Sequence, residues 1–170
     1  MCRVLGVDPG TALMGYAVVH QSRGQLELLT CGALETSSSL PLQDRLALLY
    51  DGLLCVVDEW HPTEMAIEDI FFNRNVRSAL SVGQARGVAL LAAAHRGLTV
   101  SNYTPLQVKE SVTGFGRARK EQIQEMVRVL LNLESVPQPD DAADAAAIAV
   151  CHLNSAAGRE VLRQLTRETG

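Results

Sequence analysis

A five-stranded mixed α/β sheet flanked by helices is the fold this sequence predicts. Three observations point to it: short apolar runs joined by tight turns open the chain, helical and strand-like runs alternate in its middle, and an alanine-rich apolar helix lies near its end. Strands joined by turns become antiparallel neighbours, whereas strands separated by helices return parallel.

Arg3–Val7 and Gly15–His20 read as the first two strands, joined through the turn Asp8-Pro9-Gly10-Thr11. Ser22-Arg23-Gly24 turns into a third, Gln25–Leu34. Leu42, Leu46, Leu49, Leu53 and Val57 recur at helical spacing up to Trp60, and Pro62 ends that helix. A fourth strand, Thr63–Glu68, precedes the loop Asp69–Asn75 and a helix over Val76–Arg96. Thr99–Tyr103 is the fifth strand, followed by a short helix Thr104–Ser111 and a glycine-punctuated basic loop Thr113–Arg119. Helices over Glu121–Leu133 and Asp141–Asn154 complete the pattern, with Pro137 and Pro139 between them. Residues 1–157 read as one domain, and the weakly patterned 158–170 as a C-terminal tail prone to fraying and disorder.

The chain has 170 residues and is 47% apolar, enough for one sizeable core and too apolar for disorder. No run approaches the roughly 18 uncharged apolar residues of a membrane span, and Asp8 interrupts any secretory signal, so a cytoplasmic protein without membrane contact is expected. Cys2, Cys31, Cys55 and Cys151 form no C-x-x-C pair, which argues against a zinc site or disulfide frame. The net charge of −4 is unevenly spread. Residues 71–128 carry nine Lys or Arg against three acids, leaving this stretch at +6 and the remainder at −10. Such segregation allows a basic face beside an acidic centre.

Four carboxylates carry the chemistry. Asp8 ends the apolar run Val4–Val7, Glu68 ends Met65-Ala66-Ile67, and Asp141 and Asp144 open the alanine-rich helix. An acid at the end of a buried strand is costly unless something pairs with it. Two acids three residues apart share a helix face and repel. A divalent cation converts that repulsion into binding, and hard ions such as Mg2+ prefer oxygen ligands. Taken singly, Asp8 could merely start a turn and Asp141 complement a helix dipole. As an ordered set they point to a metal-dependent enzyme acting on phosphate. Asp69 should face away from Glu68, and Asp140 suits a helix N-cap, so both stay outside the set.

An acid on strand one, another on strand four and two on the last helix, together with Val7-Asp-Pro-Gly-Thr…Gly15-Tyr-Ala-Val, Ala66-Ile-Glu-Asp-Ile-Phe71, Gly83-Gln-Ala-Arg-Gly-Val-Ala89 and Asp141-Ala-Ala-Asp-Ala-Ala-Ala-Ile-Ala149, resemble the ribonuclease H-like nucleases. The match is closer to their RuvC family of Holliday-junction resolvases, in the same order over roughly positions 4 to 152. The resemblance implies a homodimeric endodeoxyribonuclease of recombination and repair that cuts four-way DNA junctions by paired symmetric nicks and works with a branch-migration motor complex. It implies two Mg2+ ions per site on Asp8, Glu68, Asp141 and Asp144, with Mn2+ as a substitute. Ions roughly 3.5–4 Å apart activate water and stabilise the departing 3′ oxygen, leaving a 5′-phosphate and a 3′-hydroxyl.

The two lysines of the chain, Lys109 and Lys120, match lysines the family uses near the phosphate. Lys109 is the better candidate to approach the scissile group, and Lys120, Arg117 and Arg119 are expected to track the DNA backbone. Phe71 matches an aromatic the family places near the crossover, in a polar loop with Phe72, Arg74 and Arg77 close by as further DNA contacts. Phe72 divides evenly between base stacking and core packing. Gly83 and Gly87 let their helix approach either the sheet or a second copy of itself. His20, His61, His95 and His152 show no ligand spacing and receive no role. Three other readings stay open: a related nuclease on other structured nucleic acid, a junction-binding protein that does not cut, and a phosphate loop of actin-like ATPases, which need a second such domain.

Overall fold

The computed structural model describes the backbone of residues 2–69 and 76–168, and the side chains of 2–69 and 79–156. Strands β1 (Cys2–Asp8), β2 (Leu13–Ser22) and β3 (Gln25–Glu35) form an antiparallel meander, while β4 (Glu64–Glu68) and β5 (Thr99–Tyr103) add in parallel beyond β1. The sheet order is β3-β2-β1-β4-β5. Helices are α1 (Leu42–Trp60), α2 (Val76–His95), α3 (Pro105–Thr113), α4 (Lys120–Leu130) and α5 (Asp140–Glu168). The expected fold class is therefore the observed one. Helix α5 continues to Glu168, beyond Asn154 where its apolar periodicity ends.

Alternation along the strands sorts the core into two layers. Leu5, Val7, Met14, Val18, Met65 and Ile67 point to the side covered by α1 and α2, packing on Leu49, Leu53, Ala85, Ala89 and Ala92. Val4, Ala17, Val19, Ala66 and Tyr103 point to the other side, against α3, α4 and α5. Since Val4 faces α5, so do residues 6 and 8 of the same strand; since Ala66 faces α5, so do residues 64 and 68. Both strand-borne acids are thus aimed at one helix before any side-chain contact is considered.

That helix lies unusually close. A Cβ added at Gly6 would stand 2.0 Å from the carbonyl oxygen of Ala145, and one added at Gly15 would stand 2.0 Å from that of Asp141. Only glycine admits the α5 backbone at this height. Along the contact the helix presents Ala142, Ala145, Ala146 and Ala149, all essentially inaccessible to solvent. Small residues on both partners bring backbone against backbone, and Asp141 is carried directly onto β2.

Replacing Gly15 with alanine forces the α5 backbone off the sheet. The expected cost is about 1–3 kcal/mol, read from the urea midpoint; an unchanged midpoint would contradict the contact.

Candidate active site

The turn after Asp8 is tied down from two sides. Buried Thr11 pairs its hydroxyl with Ser81 of α2, and its carbonyl accepts from the Thr36 hydroxyl at the end of β3. Thr11 had no signal in the sequence beyond its place in the turn. The register that sets Val7 beside Ile67 carries Asp8 alongside Glu68 at the ends of two parallel strands. Helix α3 begins at Thr104 in a reciprocal cap: Thr104 Oγ1 accepts from the Gln107 amide at 3.2 Å, and Gln107 Oε1 accepts from the Thr104 amide at 2.8 Å. This fixes Pro105, Val108 and Lys109 against the strand ends.

A cavity of about 240 Å3 opens there, lined by Asp8, Glu68, Lys109, Lys120 and Asp144 with Pro105, Val108, Ile123, Ala147 and Ile148. Three of the four predicted acids share it, drawn from β1, β4 and α5. Asp141 is not on its wall, yet its charge reaches Asp8. Lys120, expected to track DNA, stands on the cavity wall: its Nζ lies 2.9 Å from Asp144 Oδ2 and 3.4 Å from Asp140 Oδ2. Arg117 and Arg119 are exposed on the connection between α3 and α4. Phe71, Phe72 and Arg74 lie outside the described residues, as does the side chain of Arg77.

Asp69 is directed elsewhere. Its carboxylate meets the Arg86 guanidinium at 3.6 Å, and Arg86 also donates to Asn102 at 2.6 Å. Asp69 does not line the cavity, as strand alternation predicted. Asp140 stands at the head of α5 and pairs with Lys120, a contact that a reading of it as a cap did not anticipate.

Electrostatics at the cavity are unfavourable to the acids as a group. Burial raises the Asp8 carboxyl to about 7, reinforced by Glu68, Asp144 and Asp141 and opposed by Lys120. Burial also raises Glu68, with Asp144 adding to the effect and Lys109 opposing it. Asp144 is raised by burial as well, and Lys120 offsets part of this. Among the described residues, no three His, Cys, Asp or Glu side chains already form a closed ligand set. The donor chemistry nevertheless fits a hard divalent ion: carboxylate oxygens only, mutually repelling, around a space large enough for the waters such an ion keeps.

Residues 4–152 match the family Crossover junction endodeoxyribonuclease RuvC. The chain belongs to the RuvC family. A RuvC relative from Roseiflexus sp. (strain RS-1) is 52% identical over 154 residues, covering 91% of this chain and 92% of its own. The RuvC protein of Moorella thermoacetica is 52% identical over 157 residues, covering 92% and 94%. Among solved structures, T. thermophilus RuvC in complex with Holliday junction substrate superposes with a TM-score of 0.87 at 36% identity, over 92% of this chain and 95% of that one. The yeast mitochondrial Holliday junction resolvase Ydc2 shares the fold, with a TM-score of 0.70 at 17% identity over 99% and 86%. RuvC proteins are endodeoxyribonucleases, and the family implies a divalent-metal-dependent one. No helix among the described residues is long and apolar enough to cross a membrane.

The raised Asp8 carboxyl has a measurable consequence. Its folded value of about 7 exceeds the roughly 3.9 of an unfolded aspartate, so the folded state holds a proton that the unfolded state has lost. Stability of the metal-free protein therefore falls as pH rises from about 4 to about 7. Asp8→Asn is expected to remove much of this slope and to stabilise the metal-free protein at pH 8 by roughly 2–4 kcal/mol in urea titration. Equal slopes in the two proteins would show that Asp8 is not the strained group.

Proposed function

We propose that this chain resolves four-way DNA junctions by metal-assisted hydrolysis, with residues 1–157 as one nuclease domain. The single observation behind this reading is the shared cavity: carboxylates from β1, β4 and α5 face one space beside two lysines. Asp8, Glu68 and Asp144 would hold the metal, with Asp141 completing the set from the first turn of α5. Two Mg2+ ions are proposed per site, with Mn2+ able to replace them. When bound, the ions supply a lowered pKa for an attacking water and charge stabilisation for the departing 3′ oxygen. Lys109, on the cavity wall near Glu68, holds a non-bridging oxygen of the scissile phosphate and orients it for in-line attack. Apolar Val108, Ile123 and Ile148 form part of the same wall and limit water around the charges. The products are a 5′-phosphate and a 3′-hydroxyl, with no covalent intermediate.

Two matched nicks require two copies of this site related by a two-fold axis. Helix α2 offers a surface for that pairing. Leu80, Gly87, Leu91 and Ala94 lie along one exposed stripe with Gln84, and Leu80 and Leu91 are 62% and 49% accessible. Among the described residues nothing stands within 4 Å of a Cβ built at Gly87, which leaves this position open to close approach by a second copy. We assign this stripe to a homodimer. Exposed Arg117 and Arg119 and the segment carrying Phe71, Phe72, Arg74 and Arg77 are the proposed junction contacts. Association with a branch-migration motor and a cytoplasmic location follow from the same family reading.

The test is a synthetic mobile junction with each arm labelled, incubated with Mg2+. Paired nicks in opposing strands are expected. Asp8→Asn, Glu68→Gln and Asp144→Asn should each lower single-turnover cleavage by at least about 10³-fold while still binding the junction. Binding without cutting by the unmodified chain in Mg2+ and Mn2+ would favour the non-cleaving alternative. Leu91→Arg should give a monomer in sedimentation and abolish paired nicking; a dimer that survives places the interface elsewhere.

A further inference from the structure

His152 lies on α5, two turns beyond Asp144, with 1% of its surface accessible. Both ring nitrogens are engaged across the sheet. Nδ1 is 2.9 Å from the Tyr103 hydroxyl on β5, and Nε2 is 2.8 Å from Glu64 Oε2 on β4. Tyr103 also meets the imidazole edge-on, with ring centroids 5.7 Å apart. Glu64 in turn accepts from the Cys2 thiol of β1 at 3.0 Å. Strand alternation places Glu64 and Glu68 on the same face of β4, one at each end, with Ala66 between them. Tyr103 likewise stands beside Glu68 in the register of β4 and β5.

What this clamp controls follows from the rest of the interface. Gly6 and Gly15 determine how closely α5 approaches the sheet, and the helix meets them mainly through alanines, whose contact is apolar and carries no directional bond. Cys151 and Asn154 bond α5 to α3, and Asp140 and Asp144 pair with Lys120 of α4. His152 instead bonds the helix to the strands themselves, and registration is the use for which buried polar groups are best attested. The polarity is mutually consistent: Nε2–H donates to the Glu64 carboxylate, and in that neutral tautomer Nδ1 accepts from the Tyr103 hydroxyl. Such a bridge ties α5 to two different strands at once. Asp144 lies about 12 Å up the same rigid helix, so a slip at His152 is a slip at the acids.

We propose that His152, held between Tyr103 and Glu64, is the positioning residue that fixes the slide of α5 along the sheet and so places Asp141 and Asp144 opposite Asp8 and Glu68. This assignment rests on the metal-nuclease reading of the cavity. His152 touches neither substrate nor ion; it acts through the helix it anchors.

The test uses the full chain and four readouts: urea midpoint, Mn2+ affinity by calorimetry, single-turnover junction cleavage, and junction binding in Ca2+. Tyr103→Phe with His152→Leu removes both bonds together and leaves an apolar core of similar volume without an orphaned hydroxyl. It is expected to keep a cooperative urea transition and junction binding within about twofold, while Mn2+ affinity and cleavage each fall roughly tenfold, about 1.4 kcal/mol. His152→Gln, which retains one donor and one acceptor, should recover most of both. Glu64→Ala, at a side chain one-third exposed, tests the same clamp should the double substitution not fold, with a loss of about threefold expected. Wild-type Mn2+ affinity and cleavage in the folded double variant, or in Glu64→Ala if only that folds, would overturn the assignment, as would His152→Gln behaving no better than the double variant. A parent protein that folds and binds junctions but neither binds Mn2+ nor cuts would instead overturn the nuclease reading.

Discussion

The direct contact of α5 with β1 and β2 is the constraint from which the rest of this structure follows. Carbonyl oxygens of Asp141 and Ala145 occupy space that any side chain at Gly15 or Gly6 would fill. Without that approach, a layer of side chains would stand between the helix and the sheet. Acids at the head of α5 would then lie a full layer above the strand ends. With it, Asp144 shares a cavity with Asp8 and Glu68. Small residues here are the means by which a backbone contact delivers charged groups to one place.

Assembling those charges opposes folding. Burial raises Asp8, Glu68 and Asp144 together, and neighbouring carboxylates add to the strain on each of the three. Lys120 relieves part of it through Asp144 and Asp140. A cation would relieve a cluster of this kind, and the fold tolerates it without one because two apolar layers stabilise the sheet independently. Leu5, Val7, Met65 and Ile67 pack against α1 and α2 with no contribution from the acids. The strained site is thereby mounted on a rigid frame.

Much of this was readable in the residues themselves. Asp8 and Glu68 stand out as acids closing apolar strands, and period-two alternation turns Asp69 away from Glu68, since strand geometry leaves an acid only two directions. Spacing of Asp141 and Asp144 on an alanine-rich helix identified the third element. Other features had no local signature. Lys120 is expected from sequence to track the DNA backbone, because nothing near it in sequence announces Asp144. His152 looked ordinary because its partners, Tyr103 and Glu64, are 49 and 88 residues away. Gly6 and Gly15 resembled routine strand glycines, for a close approach is a property of what lies opposite.

Crystals of the chain grown with Mn2+ and measured at the manganese absorption edge test the central claim most directly. An anomalous peak within coordination distance of Asp8, Glu68 and Asp144 is the predicted result. Manganese bound elsewhere, with these three carboxylates intact and facing no common ion, would contradict the account.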